Sequence, residues 1–157
     1  MSDPLAVLDR RPAPGPPRDY DFPAFERSRL RNGLGLLCCP VPGRPLLQAQ
    51  LIVRGDAGGG GTSEAAEHAG ATVLMARAMS EGTTERDAVA FVEAAERLGA
   101  EMRASAGWDS LSVNLEVPRS RLAAAMALFA ELALSPSFPE REVERLREER
   151  LNYLQQV

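Results

Sequence analysis

Between Ala100 and Val117 the chain alternates with a period of two, and this pattern restricts the fold more than any other. Ala100, Met102, Ala104 and Ala106 are apolar, with Glu101, Arg103 and Ser105 between them. After Gly107-Trp108-Asp109 the pattern resumes, with Leu111, Val113, Leu115 and Val117 separated by Ser112, Asn114 and Glu116. Successive strand side chains point to opposite faces, so these segments predict an antiparallel hairpin with one buried and one polar face. Leu46 to Arg54 repeats the pattern: Leu47, Ala49, Leu51 and Val53 fall on one face, Gln48 and Gln50 on the other. Leu34 to Val41, after the Asn32-Gly33 turn signal and closed by Pro40 and Pro42, reads as a further strand. Such sheets need a second layer over the apolar face.

Helical periodicity supplies that layer. Thr62 or Ser63 can cap a helix reaching about Met79. Thr84, with Asp87 in the capping-box position, opens another, whose stripe is Ala88, Phe91, Val92, Ala95 and Leu98 and whose expected terminator is Gly99. A third runs from about Ser120 to Leu134 with Leu122, Met126, Phe129 and Ala133 inward, and stops at Ser135-Pro136. Pro139 suits the first position of a fourth, with Val143, Leu146 and Leu154 as its stripe. The order strand-strand-helix-helix-strand-strand-helix-helix implies an α+β domain, a mainly antiparallel sheet covered on one face by helices. It is expected over residues 25–157, after a proline-rich extension over 1–24. The fourth helical pattern reaches Val157 without a stop signal, so a longer native polypeptide is expected.

The remaining composition excludes several classes. Net charge is −4 with no basic patch, which argues against nucleic acid. No apolar run approaches the roughly 20 residues that span a bilayer, and the first 25 residues lack a secretory apolar core, so the expected compartment is the cytoplasm. Cys38-Cys39 reads as one core and one exposed thiol on a strand. The glycine run 58–61 is followed by Thr62-Ser63-Glu64 rather than Gly-Lys-Ser/Thr, so it reads as a plain solvated loop and not a phosphate cradle.

Several words of this sequence, in this order, resemble the insulinase and mitochondrial-processing-peptidase family of zinc peptidases. They are Leu30-Arg31-Asn32-Gly33-Leu34 before a strand, Val53-Arg54-Gly55 closing the next, Gly82-Thr83 after a helix, Leu98-Gly99-Ala100, Trp108-Asp109 in a hairpin turn, and Pro136 through Arg147. The resemblance covers about residues 25–157 and implies that family's fold. Active members bind zinc through an inverted motif, with two histidines four apart on a helix, a glutamate general base between them, and a second glutamate on a later helix. Gly70 and Gly82-Thr83 both set the register. They place Val73 and Arg77 at the histidine positions, Ala76 at the base and about Tyr153 at the late glutamate. Valine has no donor atom, alanine cannot take a proton, and arginine is always cationic. The resemblance thus implies an amino-terminal domain of a non-catalytic member, with no catalytic, cofactor or metal residue of its own.

Three further features have competing readings. Glu64, Glu67 and His68 imitate a shifted motif, since Glu64 and His68 would share a helix face; solvated acids at a helix start are the simpler reading. Arg77 either pairs with an acid at the surface or fills the vacated metal pocket. Trp108 reads as covering the core edge, or as an interface residue if exposed. The leading expectation is a pseudopeptidase subunit pairing with a zinc-bearing homologue around a peptide. The alternatives are a structural or assembly module, and a hydrolase using Glu64, Glu67 and His68.

Overall fold

The computed structural model describes residues 14–55 and 59–156. They form two compact units, divided between Gly43 and Arg44. Of the proline-rich segment, 1–13 lie outside the described residues, and 14–24 carry no helix or strand.

The first unit holds a two-stranded antiparallel hairpin, β1 (Glu26–Arg29) and β2 (Gly35–Cys38). Asn32-Gly33 makes its turn: Gly33 has φ 89°, which glycine adopts freely, and the Leu34 amide donates to Asn32 Oδ1 at 3.1 Å. β2 is shorter than the expected 34–41. Cys38 and Cys39 are both exposed, against the expected split. Within its own unit the hairpin has no described second layer to bury either face.

The second unit is built on a three-stranded antiparallel sheet of order β3-β5-β4, from β3 (Leu46–Arg54), β4 (Glu101–Ala106) and β5 (Ser110–Pro118). β5 is central. Leu111, Val113, Leu115 and Val117 are 8, 1, 1 and 0% exposed. Ala49, Leu51 and Val53 from β3, and Met102, Ala104 and Ala106 from β4, join the same apolar face. Around it pack α1 (Ala71–Ala78), α2 (Ala88–Arg97) and α3 (Leu122–Leu134), through Ala76, Phe91, Ala95, Ala125, Leu128, Phe129 and Leu132. α4 (Glu140–Gln155) completes the α+β unit.

Several local expectations shift. The helix expected from Thr62 or Ser63 begins only at Ala71; residues 61–63 and 66–68 are short 3-10 turns. Gly70, at φ 94°, turns the chain into α1 without a side-chain cap of its own. Asp87, rather than Thr84, caps α2, its carboxylate accepting from the Ala90 amide at 2.8 Å. The Thr83 hydroxyl occupies the preceding turn, accepting from the amides of Glu85 and Arg86. Gly99 closes α2 as expected, at φ 62°. Its amide bonds Glu96 O at 2.8 Å and that of Ala100 bonds Ala95 O at 3.0 Å, the paired bonds of a Schellman end.

In α2 Val92 is exposed, and Phe91, Ala95 and the half-buried Ala94 carry the packing. In α3 Met126 turns outward and Ala125, Leu128, Phe129 and Leu132 face the core. That helix is apolar nearly all round, so periodicity alone leaves its rotation undetermined. In α4 Leu146 is buried but Leu154 is 54% exposed, and Pro139 sits one position before the helix.

The described glycines of the 55–61 loop are packed, not freely solvated. Gly59 and Gly60 are buried. The Gly61 amide bonds Gly107 O and that of Thr62 bonds Trp108 O, both at 2.9 Å, so this segment seals the β4–β5 turn. A Cβ at Gly60 would lie 2.4 Å from Trp108 O, whereas one at Gly61 would meet Trp108 Cε3 at an ordinary 3.5 Å. Gly60→Ala is therefore expected to destabilise the fold by about 2 kcal/mol or more, the range of backbone displacement and overpacking. Gly61→Ala should lie within about 1 kcal/mol of the parent. Urea unfolding of both checks this, and equal effects would contradict the packing described.

Candidate functional site

The family's metal site would lie on α1, facing α4, so those residues come first. Ala76 is 2% exposed and belongs to the apolar core, and Val73 is half-buried beside it. Arg77 is exposed, and its Nη2 donates to Glu149 Oε2 on α4 at 2.9 Å. Tyr153 is 57% exposed, with the Arg150 guanidinium 5.3 Å from its ring centre. A zinc ion needs three deprotonated or neutral donors converging on one point. These side chains offer an alkyl group, a methyl, a cation and a solvated phenol, and they do not fit it. Among the described residues no group of three His, Cys, Asp or Glu side chains could hold a metal ion.

The shifted motif loses its geometry. His68 lies in a 3-10 turn and Glu64 precedes it outside any helix, so the shared helix face is absent. Glu64 has another role. Its Oε2 accepts from the Gly70 amide at 2.6 Å and its Oε1 from the Thr72 amide, so it caps α1 from six residues upstream. The Thr72 hydroxyl and amide, then the Gly70 amide, hold its carboxyl below the ordinary glutamate range. Sequence reasoning missed this cap because the helix was placed too early. Gly70, used only to fix register, was the signal that α1 starts there.

Gly82-Thr83, the other register anchor, ties three helices together. Thr83 is 6% exposed; its hydroxyl donates to Glu131 Oε1 at 2.5 Å, and Arg86 pairs with the other Glu131 oxygen. The Ser137 amide donates to Gly82 O at 3.0 Å, and the Thr84 amide to Ser135 O at 2.9 Å. Gly82 has φ 144° and ψ 159°, a conformation confined almost entirely to glycine. These bonds join the end of α1 to the α3–α4 link.

The sheet face away from the core is exposed and mostly polar, with Leu46 and Ile52 also turned outward on it. Gln48 Nε2 donates to Glu116 Oε2 at 2.7 Å, Ser105 and Ser112 hydroxyls lie 3.0 Å apart, and Glu101 pairs with Arg103. Gln48, Gln50, Arg103, Asn114 and Glu116 line a shallow depression of about 360 Å³ there. Trp108 does not cover the core edge: it is 79% exposed, and it is its carbonyl that the Thr62 amide and hydroxyl engage.

The family model for insulinase, peptidase family M16, matches residues 56–157. The chain belongs to that family. A crystal structure of a peptidase M16 inactive domain from Pseudomonas fluorescens is similar with TM-score 0.71 and 23% identity, over 80% of this chain and 30% of that one. A protease from Helicobacter pylori is similar with TM-score 0.69 and 21% identity, again over 80% and 30%. The M16 chain thus spans about a third or less of those two structures, and at this identity they establish the fold alone. No curated protein matches the sequence.

Glu64 gives this site its acid sensitivity. Its two bonds are complete above the ordinary carboxyl value of 4.5 and are lost as pH falls through the lowered folded value. Amide exchange by NMR should therefore show the Gly70 and Thr72 amides protected at neutral pH and exchanging faster in acid below that value. Glu64→Ala should expose the Thr72 amide several-fold at neutral pH while leaving α3 protected. Unchanged exchange at Thr72 would contradict the cap.

Proposed function

We propose that this chain is a catalytically inactive zinc-peptidase-like subunit, acting in the cytoplasm, that pairs with a zinc-bearing homologue and helps enclose a peptide for processing or degradation. The observation that carries the reading is the fate of the α1 positions. On the register set by Gly70 and Gly82-Thr83, the base position falls on Ala76, which is buried, and one histidine position on Arg77, which is engaged with Glu149. A chain built this way has no means of activating water by the family's chemistry. It retains the family fold, with helices on one face of its sheet and the other face open and mostly polar, as a wall around an extended peptide would require. The inactive-domain description of the Pseudomonas fluorescens structure supports the same reading. No helix among the described residues is long and apolar enough to cross a membrane.

Co-expression with a homologue carrying an intact His-x-x-Glu-His tests the pairing. The expected outcome is co-elution as a stable complex and faster peptide hydrolysis than the zinc-bearing partner achieves alone. Stable association without any gain in hydrolysis would instead favour a structural or assembly module. No association, with full activity in the homologue alone, would reject the proposal.

A further inference from the structure

Helix α4 is attached differently from the other helices. It is 16 residues long, yet Leu146 is its one fully buried residue, and Leu151, Tyr153 and Leu154 are 44, 57 and 54% exposed. A run of alternating charges joins its middle turns to α1. Arg77 donates to Glu149 Oε2 at 2.9 Å, and Arg145 Nη1 donates to Glu149 Oε1 at 2.5 Å. Arg145 Nη2 then reaches Glu81, in the turn that follows α1, at 2.9 Å, and its Nε bonds Glu142 at 2.7 Å. Glu149 is therefore held between two guanidinium groups, and Arg145 among three carboxylates.

We infer that the series Arg77–Glu149–Arg145–Glu81 is an electrostatic latch between α4 and α1, so that ionic strength tunes how firmly α4 is docked. Three of these four side chains are 44 to 46% exposed, within reach of dissolved salt. Isolated exposed pairs contribute little, because solvent screens them and side-chain entropy opposes them. Here the pairs share members, so ordering one side chain serves two or three bonds at once. With a single leucine buried, little apolar packing remains to hold the helix when the charges are screened. The screening length falls from ~30 Å at ~0.01 M salt to ~3 Å at ~1 M, comparable to these contacts. α2 and α3 are anchored by the buried Phe91, Leu128, Phe129 and Leu132, so the same screening is expected to loosen them far less. The inference goes beyond the pairing proposed above and does not rest on it.

Amide exchange of the full chain across that salt range tests the latch. Protection over residues 145–152 is expected to fall by up to about fivefold at high salt, in keeping with exposed ion pairs, while β5 and α3 stay constant. Glu81→Gln/Glu149→Gln, which removes both carboxylates of the series, should lower α4 protection at low salt and abolish its salt response. Glu144→Gln breaks the Glu144–Arg147 pair, which lies wholly within α4, and should leave that response intact. Salt-independent protection of α4, a persisting response in Glu81→Gln/Glu149→Gln, or its loss in Glu144→Gln would each overturn the inference.

Discussion

Burial of one face of β5 is the constraint on which the unit from Arg44 to Val157 depends. As the central strand it is paired on both sides, so neither its register nor its facing can change without disturbing β3 and β4. Leu111, Val113, Leu115 and Val117 turn toward the helices and are at most 8% exposed. Burying aliphatic side chains of this kind contributes about 1.5–3 kcal/mol each relative to exposure. The same alternation sends Ser112, Asn114 and Glu116 to the opposite face, so the apolar requirement of the core also creates the open, mostly polar surface.

The core then decides what α1 can do. Ala76 is packed against the sheet, and the neighbouring Arg77 points toward α4, where Glu149 meets it. In metal-bearing relatives a divalent ion would be shared between these two helices. In this chain a fixed guanidinium provides the positive charge and a carboxylate from α4 still answers it. That arrangement joins the helices but offers no open coordination position for water. The Gly82-Thr83 hub holds the same region from the other side, with Thr83 and Arg86 saturating the Glu131 carboxylate. Ion pairs and hydrogen bonds thus join α1 to α4 and to the α3–α4 link.

Much of the strand framework was legible in the sequence, because period-two alternation around Gly107-Trp108-Asp109 leaves one register. The Schellman glycine at Gly99 was equally readable, since a left-handed position strongly prefers that residue. The helix rotations were less so. α3 is apolar on nearly every side, and tertiary contact selects Ala125 and Leu128 over Met126. The start of α1 was misplaced because its cap, Glu64, comes from outside the helix, a bond that no local capping rule anticipates. The packed glycines at 59 and 60 were hidden for a similar reason: their constraint comes from the end of β3 at Val53 and from the Trp108 turn, neither of which a local glycine count reveals. At the candidate site nothing in the sequence pointed to the partner of Arg77. Glu149 lies one turn before Tyr153, on the helix where the late ligand would be expected.

The side chains present do not fit zinc: α1 carries no carboxylate, imidazole or thiolate, and Glu142, Glu144 and Glu149 of α4 are each paired with arginine. Metal analysis of the purified chain after zinc loading and desalting tests this most directly, compared with Val73→His/Ala76→Glu/Arg77→His/Tyr153→Glu. The account predicts substoichiometric zinc in the parent, unaffected by His68→Ala, and a rise toward one equivalent when the four family residues are restored. One tightly held zinc in the parent, lost on His68→Ala, would contradict it.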